Sequence, residues 1–557
     1  MNSFPIRLAI LWHMHQPPYK SGETYLLPWA RLHATKDYLD TARALERYPE
    51  VRTTINLVPS LLMQLQEYVS GQAEDYVLQL TRKPAFLLSE DDKHEIVRQF
   101  FQCNVERMIK PYPRYLQLYE HVDHRNDECR LDDLDSLSIQ DWRDLQVWYL
   151  LTWIGPYSKE REPFHTMMMK ELNFSEPEKL RLIEESLWLI GEIIPLWKQL
   201  KECNQIGLSV TPFYHPILPL LIDTSSAKES MPDVVLPTET TGWKDDAELQ
   251  ISGGIQFFEK VFGETPPGMW PSEGSISNET LELISKHKIQ WAASDETVLR
   301  NSLGGKSPPL AHCFPWRYRT EHGDIHLFFR DHHLSDRIGF VYAGWEPEMA
   351  ADDFVAHILN RRNQLIKEYG RTTLNEAALP IILDGENCWE YYEDNGRAFI
   401  EALYKRFTNS DLIETVTFTD LLERTGPDNT RTIESVRAGS WIGGDFGIWI
   451  GGEEENQAWD ALAQARKDLM EARDQLSEQR FHKACEELLA AEGSDWFWWY
   501  GKENTTVNDP LFDKLFRERL QRIYSIIGME PPEELEKAIR QYTGKSHGGA
   551  MHRAEIE

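Results

Sequence analysis

The sequence predicts an α/β fold: a parallel sheet curling toward a barrel, with helices outside it, a helical insertion and a helical C-terminal region. Three observations point there. Short apolar runs recur along the chain, and most are followed by a helix-like stretch. Each run ends in a polar cluster. Two long spans carry only helical periodicity. Strand and helix patterns in alternation build a parallel sheet covered by helices, and barrels of that kind place their chemistry at the carboxyl ends of the strands.

The strand-like runs, in order, are "LAILWHMHQPP" with His13 and His15, "TTINLVPS" with Asn56, and "LSVTPFYHP" with His215. "GMWPSEG" with Glu273 and "IQWAASDE" with Asp295 and Glu296 come next. "IHLFFRDHH" ends in Asp331, His332 and His333, and "IILDGEN" ends in Asp384 and Glu386. All are rich in β-branched, aromatic or aliphatic residues. "ETVTFTDLL" near residues 414–422 is a candidate eighth.

Residues 1–58 and 201–430 are therefore assigned to the barrel, and 59–200 to a helical insertion opening its last helix with a Ser-x-x-Glu box at Ser175. Residues 431–542 form a helical C-terminal domain. There Trp459, Leu462, Ala465, Leu469, Ala472 and Leu476 recur at helical spacing, as do Phe512, Phe516, Leu520, Tyr524 and Ile527. Gly528, Pro531 and Pro532 stop the second series, and residues 543–557 read as a disordered tail.

Bulk numbers exclude several functions. Ninety acidic residues against 59 Lys and Arg give a formal charge of −31, a field that repels phosphate backbones and anionic lipid surfaces. Nucleic acid and membranes are therefore not expected partners, whereas a neutral substrate is not penalised. No run reaches the length of a membrane span, and the start lacks the pattern of a signal peptide. The six scattered cysteines contain no CxxC, which fits a reducing cytoplasm.

His13 and His15 stand at i and i+2, so on a strand they share a face. Such a pair ligates a metal or donates hydrogen bonds to a polar ligand; Asp331, His332 and His215 are available to complete a metal site, as in a metal-dependent deacetylase or amidohydrolase. Glu273 lies beyond Trp270 among small residues, and an adjacent indole raises a carboxyl's pKa by desolvation. Asp384 ends a different strand. Two carboxyls converging from separate strand ends are what glycosidic hydrolysis requires.

"HMHQP", "TPFYHPILPLL", "GMWPSEGS", "DGENCWEYY" and "GSWIGGDFGIWIGGEEENQAWDAL" occur in an order and spacing that resemble glycoside hydrolase family 57, nearest its α-amylase/amylopullulanase-like branch, over residues from about 7 to 530. The resemblance implies an incomplete (β/α)7 barrel and a retaining enzyme acting on α-glucans, or a glucanotransferase or branching enzyme on the same frame. It implies that Glu273 is the nucleophile and Asp384 the acid/base. His13 and His15 would line the subsite of the sugar being cleaved, with His215, Trp270 and Trp441 shaping the cleft and Asp331 and His332 as further binding residues. That chemistry needs no metal or organic cofactor, and an α-glucan chain is the expected partner. Two departures stand out: Gly207 replaces an expected glutamate, and "GKENTTVND" replaces a more acidic, His-containing run.

Overall fold

The structure, a computed structural model, describes residues 4–122, 134, 136–240, 242–425, 430–501 and 504–540. The tail from residue 543 lies outside the described residues. The main sheet has ten strands: β1 (Ile6–Met14), β2 (Thr53–Leu57), β3 (Ile206–Val210), β4 (Gly268–Met269), β5 (Trp291–Asp295), β6 (Trp316–Thr320), β7 (Gly323–Arg330), β8 (Ala378–Asp384), β9 (Ile413–Val416) and β10 (Arg431–Ile433). Seven of them run parallel in the order β8-β1-β2-β3-β4-β5-β7, and these are the seven runs read from the sequence. β6 folds back antiparallel on β7 and is followed outward by β10.

No ladder joins β7 to β8 among the described residues, so the barrel is incomplete. The seam is bridged instead: the backbone N–H of Asp331 donates to the carbonyl of Pro380 at 2.8 Å, and Ser335 Oγ accepts from the N–H of Ile382 at 3.2 Å. Edge groups that would otherwise be stranded in the interior are thereby satisfied.

Central strands buried on both faces read as continuous apolar runs, and β2 and β5 are buried throughout. Alternation then sorts the side chains. Ala9 and Leu11 of β1, Trp291 and Ala293 of β5, Phe328 of β7 and Ile382 of β8 form the barrel's own core. Phe418 enters that core from below, stacking on Trp291 at 5.1 Å and meeting Phe328 edge-on at 5.2 Å. The candidate eighth strand is thus half strand, half helix. β9 stops at Val416 because Thr417 and Asp420 cap one another, each side chain accepting from the other's backbone N–H, and the chain turns into the helix Phe418–Thr425. β9 pairs only with the first half of β1, leaving the upper half to β2.

Between β2 and β3 the chain is built from helices, the longest being Glu176–Glu202, and the reciprocal Ser175–Glu178 capping box is present. In the C-terminal region Trp459, Leu462, Ala465 and Leu469 are buried on the helix Glu453–Glu471, each of the two leucines contributing about 1.5–3 kcal/mol by burial. That helix ends earlier than the periodicity predicts. Ala472 terminates it, and Ser477 caps a new helix, Glu478–Ala491, so Leu476 lies in the break. The face from Phe512 to Ile527 is buried on the helix Asp509–Ile527, which ends at Gly528 in the left-handed conformation.

Candidate active site

Register builds the floor of the site. His13 of β1 lies opposite Asp384 on one side and Asn56 on the other, and Asn56 lies opposite Ser209 of β3. His13 shares its strand face with Ala9 and Leu11, and Asp384 shares its own with Ile382. A polar layer therefore sits directly on the barrel's apolar core at the carboxyl ends of the strands.

Hydrogen bonds fix the imidazoles. Asn56 Nδ2 donates to Ser209 Oγ at 3.0 Å, so its Oδ1 is the acceptor for His13 Nδ1 at 2.7 Å and for Thr211 Oγ1 at 2.8 Å. Burial, with the nearby His15, pushes His13 down to about 3, and it lowers His215 well below the usual range. Both rings are neutral at pH 7. The network then assigns one tautomer: His13 Nδ1–H donates to Asn56, its Nε2 accepts from His215 Nε2–H at 3.2 Å, and His215 Nδ1 accepts from Ser494 Oγ–H at 2.9 Å. His15 Nε2 meets both oxygens of Asp495 at 3.0 Å.

Glu273 occupies a turn, Ser272–Gly274, with φ +56, and His215 has φ +61. Left-handed backbone at two non-glycine residues of one cleft is strain that the surrounding structure must enforce. Trp441 enforces it at Glu273 twice: its backbone N–H donates to the Glu273 carbonyl at 2.9 Å and its indole Nε1–H to Glu273 Oε2 at 2.7 Å. Ser494 does the same for His215, donating its backbone N–H to the carbonyl at 3.0 Å. The small residue after Glu273 does not leave room for a ligand. A Cβ on Gly274 would lie 2.6 Å from the indole of Trp270, so the glycine admits Trp270, which is fully buried against Trp441.

Glu273 and Asp384 both face a cleft of about 990 Å³ open to solvent, and His13, His15, His215, Trp270 and Trp441 line it with them. Asp384 accepts one hydrogen bond, from Asn387 Nδ2 at 2.7 Å, and has no ion-pair partner among the described residues. Burial pushes Glu273 up to about 8, with the charge of Asp384 adding to it and the Trp441 bond opposing it. Burial likewise pushes Asp384 up to about 6, against the Asn387 bond and the charges of His15 and Arg330. The pair therefore holds one proton at neutral pH.

Asp331 and His332 do not line this cleft. Asp331 is fully buried, caps the helix His332–Asp336 by accepting from Leu334 N–H, and meets Arg361 at 2.9 Å and His312 at 3.2 Å. Burial alone would raise it; the His312 hydrogen bond and the His312 and Arg361 charges outweigh burial and hold it well below the carboxylate range. His332 is bound to Asp295 and Asp336 at 3.0 Å each, and those bonds push it up to about 10. Gly207 is also remote, near the amino end of β3 opposite Thr54, where a Cβ would lie 3.0 Å from Thr417 Cβ. A glutamate would not fit there without displacing β9's cap. In the other departure, residues 502 and 503 lie outside the described residues, while Thr506 and Asn508 line the cleft.

His15, His215 and Asp495 offer three ligand atoms within 4.8 Å of one another. The two imidazoles stack at 4.0 Å with planes 23° apart, so their in-plane lone pairs run side by side rather than converging on one ion. Asp331, which a metal site would need, is engaged elsewhere. The donor set suits hydrogen bonding. Asn56, Ser494 and Asp495 were not singled out for the site from the sequence; Asn56 ends a strand and the other two stand in the late "EGSDWFWWYG" stretch, which reaches the barrel through its helical packing.

A parallel, open barrel with two half-buried carboxyls over its carboxyl-terminal floor is an arrangement that suits glycosidic chemistry. The chain belongs to glycosyl hydrolase family 57, whose family model matches residues 9–434. A comparison with curated protein sequences gives no match. Among solved structures it is similar in fold to a GH57-type branching enzyme from Pyrococcus horikoshii, at 15% identity, 98% coverage of both chains and a TM-score of 0.60. An alpha-amylase from Thermotoga maritima matches at 13% identity over 94% of this chain and 93% of that one, TM-score 0.58. A 4-alpha-glucanotransferase from Thermococcus litoralis matches at 13% identity over 93% and 60%, TM-score 0.51.

Proposed function

We propose that the protein is a retaining, α-glucan-active glycosidase of the α-amylase/amylopullulanase-like kind, cutting α-1,4 links, with α-1,6 links as the second bond to test, and with Glu273 as nucleophile and Asp384 as acid/base. The observation that carries the reading is the pair itself: two carboxyls from separate strand ends, facing one cleft and both raised by burial. Asp384 protonates the glycosidic oxygen while Glu273 attacks the anomeric carbon, forming a glycosyl-enzyme. Asp384 then takes a proton from water, which releases the sugar with configuration retained. The singly protonated pair has two tautomers, and the reaction proceeds through the one with the proton on Asp384. Positive charge developing at the anomeric carbon favours that tautomer by stabilising the Glu273 anion. The Trp441 indole bond holds Glu273 aimed. Asp495, bound to His15, retains lone pairs for sugar hydroxyls.

Within the assigned region 431–542, Arg431–Ile433 belong to the sheet as β10, and the helices that follow serve as a domain that closes the cleft, since Asp495, Trp498, Trp499 and Phe512 all line it. This aromatic wall favours one second reading: a sugar hydroxyl held there replaces water in the second step and makes the enzyme a glucanotransferase or branching enzyme. The protein acts in the cytoplasm on this reading, supported by five free cysteines among the described residues. A product time course on soluble starch, pullulan and maltoheptaose tests the proposal. Shorter products with rising reducing ends establish hydrolysis; chain-length redistribution without new reducing ends establishes transfer; inactivity on all three overturns the substrate class.

A further inference from the structure

One wall of the cleft is built from residues that the proposed mechanism does not use. His33 ends the helix Trp29–His33 and is followed by a π-helical turn, Ala34–Tyr38. Such turns recur at functional sites, and this one sets Asp37 beneath His33. His33 Nδ1 meets Asp37 Oδ2 at 2.6 Å, and the other Asp37 oxygen takes Lys36 Nζ at 2.6 Å. Lys36 also donates to Asn395 Oδ1 at 2.8 Å, which ties the assembly to the segment after β8. Trp153 packs edge-on against the imidazole at 5.4 Å. Asp37 thus fixes the proton on Nδ1. The remaining nitrogen, Nε2, has no partner in the protein among the described residues, and the ring lines the cleft.

Glu386, two residues past Asp384, lines the same cleft while only 4% exposed, and its Oε2 has no hydrogen-bond partner. Burial, followed by the charges of Asp384 and Asp37, raises Glu386 well above the carboxylate range, against hydrogen bonds from the His15 backbone and Tyr38. His33, lowered by burial against the pull of Asp37, is a neutral acceptor at Nε2. An imidazole nitrogen and a carboxyl oxygen, both without a partner at the cleft, match the hydroxyls of a sugar, which donate as well as accept.

We propose that His33 and Glu386 form a subsite for the leaving-group glucosyl unit, with Asp37 as the positioning residue behind His33. The side follows from Asp384: the group that protonates the glycosidic oxygen stands against the departing sugar, and Glu386 is its neighbour on the same strand end. The assignment rests on the glucan reading above. In the second step the same subsite holds an acceptor sugar where one competes with water.

The test compares kcat/KM on maltoheptaose, which has a leaving sugar, with that on α-maltosyl fluoride, which has none. In His33→Ala and Glu386→Leu the ratio of the two falls about tenfold, the size of one lost hydrogen bond to a polar ligand group. Glu386→Gln and His33→Gln, which keep polar atoms at those positions, recover most of the ratio. Asp37→Asn lowers it less than His33→Ala does. A ratio unchanged in both truncations overturns the subsite, as does a parallel fall on both substrates, which marks a purely structural role. If a truncation does not fold, the shortened polar variants His33→Ser and Glu386→Ser carry the test: a shifted cleavage position in end-labelled maltoheptaose supports the subsite, and an unshifted one overturns it. A parent protein inactive on both substrates overturns the glucan reading and this subsite with it, an outcome distinct from an active parent with unmoved ratios.

Discussion

The end of β7 meets the first half of β8 at a hydrogen bond from the Asp331 N–H to the Pro380 carbonyl, yet the aspartates that close the two strands are treated in opposite ways. Asp331, just past β7, is buried among Arg361, His312 and the N-terminus of a short helix, and its carboxyl is driven far toward the anion. Asp384, closing β8, is half-buried at the cleft; it has one amide as partner, and desolvation pushes it up to about 6. The partners of each carboxyl, more than its depth, therefore decide its chemistry. Directly paired cations hold a carboxylate as an anion that ties the seam of the barrel, whereas a lone amide partner leaves a carboxyl whose proton affinity is raised toward neutral pH.

Exchanging the two losses is the harshest test of that contrast. Asp384→Asn lowers kcat by about 10²–10⁴-fold, the usual weight of a general acid/base, with a melting temperature no lower than the parent's. Asp331→Asn does the reverse: the folded fraction keeps its kcat, while stability falls by about 3–5 kcal/mol because Arg361 and His312 lose a buried partner. Parallel steady-state kinetics and thermal melts separate the two. A catalytic collapse in Asp331→Asn breaks the comparison.

The contrast sharpens with pH. A carboxyl raised in the folded state favours folding while it is protonated; that contribution is complete below its unfolded value and lost as pH rises through the folded one. For Glu273 the window runs from about 4.5 to about 8. Glu273→Gln therefore matches the parent's melting temperature near the lower bound and exceeds it increasingly toward the upper, by an amount on the order of a few kcal/mol in stability. The Asp331 pair has the opposite sign: its stabilisation is present above the unfolded value of 3.8 and fades only as pH falls through the folded one. Melts of both variants across this range test both signs. The smallest effect belongs to His332, whose side chain is 44% exposed: His332→Ala costs under about 1 kcal/mol and leaves product profiles unchanged.

This comparison also explains what the sequence could and could not convey. Apolar runs ending in polar clusters located seven strands, because period and burial are local properties of each run. The Ser175 cap and the Phe512–Ile527 face were legible for the same reason. "IHLFFRDHH" and "IILDGEN" look alike as strand ends, and nothing within either run tells the roles of Asp331 and Asp384 apart. The difference lies in Arg361, on a helix thirty residues downstream, and in His312, on a turn before β6. Asn56 was visible as a strand end, but its role depends on register with Ser209 and His13. Asp495 and Ser494 reach the cleft only through the packing of the C-terminal helices. His33 and Asp37 stand four apart, a readable pair, yet the π-helical turn that aims them has no signature in the residues themselves.

The most direct measurement is peptide mapping of Asp384→Asn after incubation with α-maltosyl fluoride. Fluoride departs without an acid, so the first step proceeds; the second lacks its base, so the covalent intermediate accumulates. A maltosyl adduct on the peptide carrying Glu273, absent when Glu273→Gln is combined with Asp384→Asn, is the result the account predicts. An adduct on another carboxylate such as Asp495, or fluoride release with no adduct at all, would contradict it.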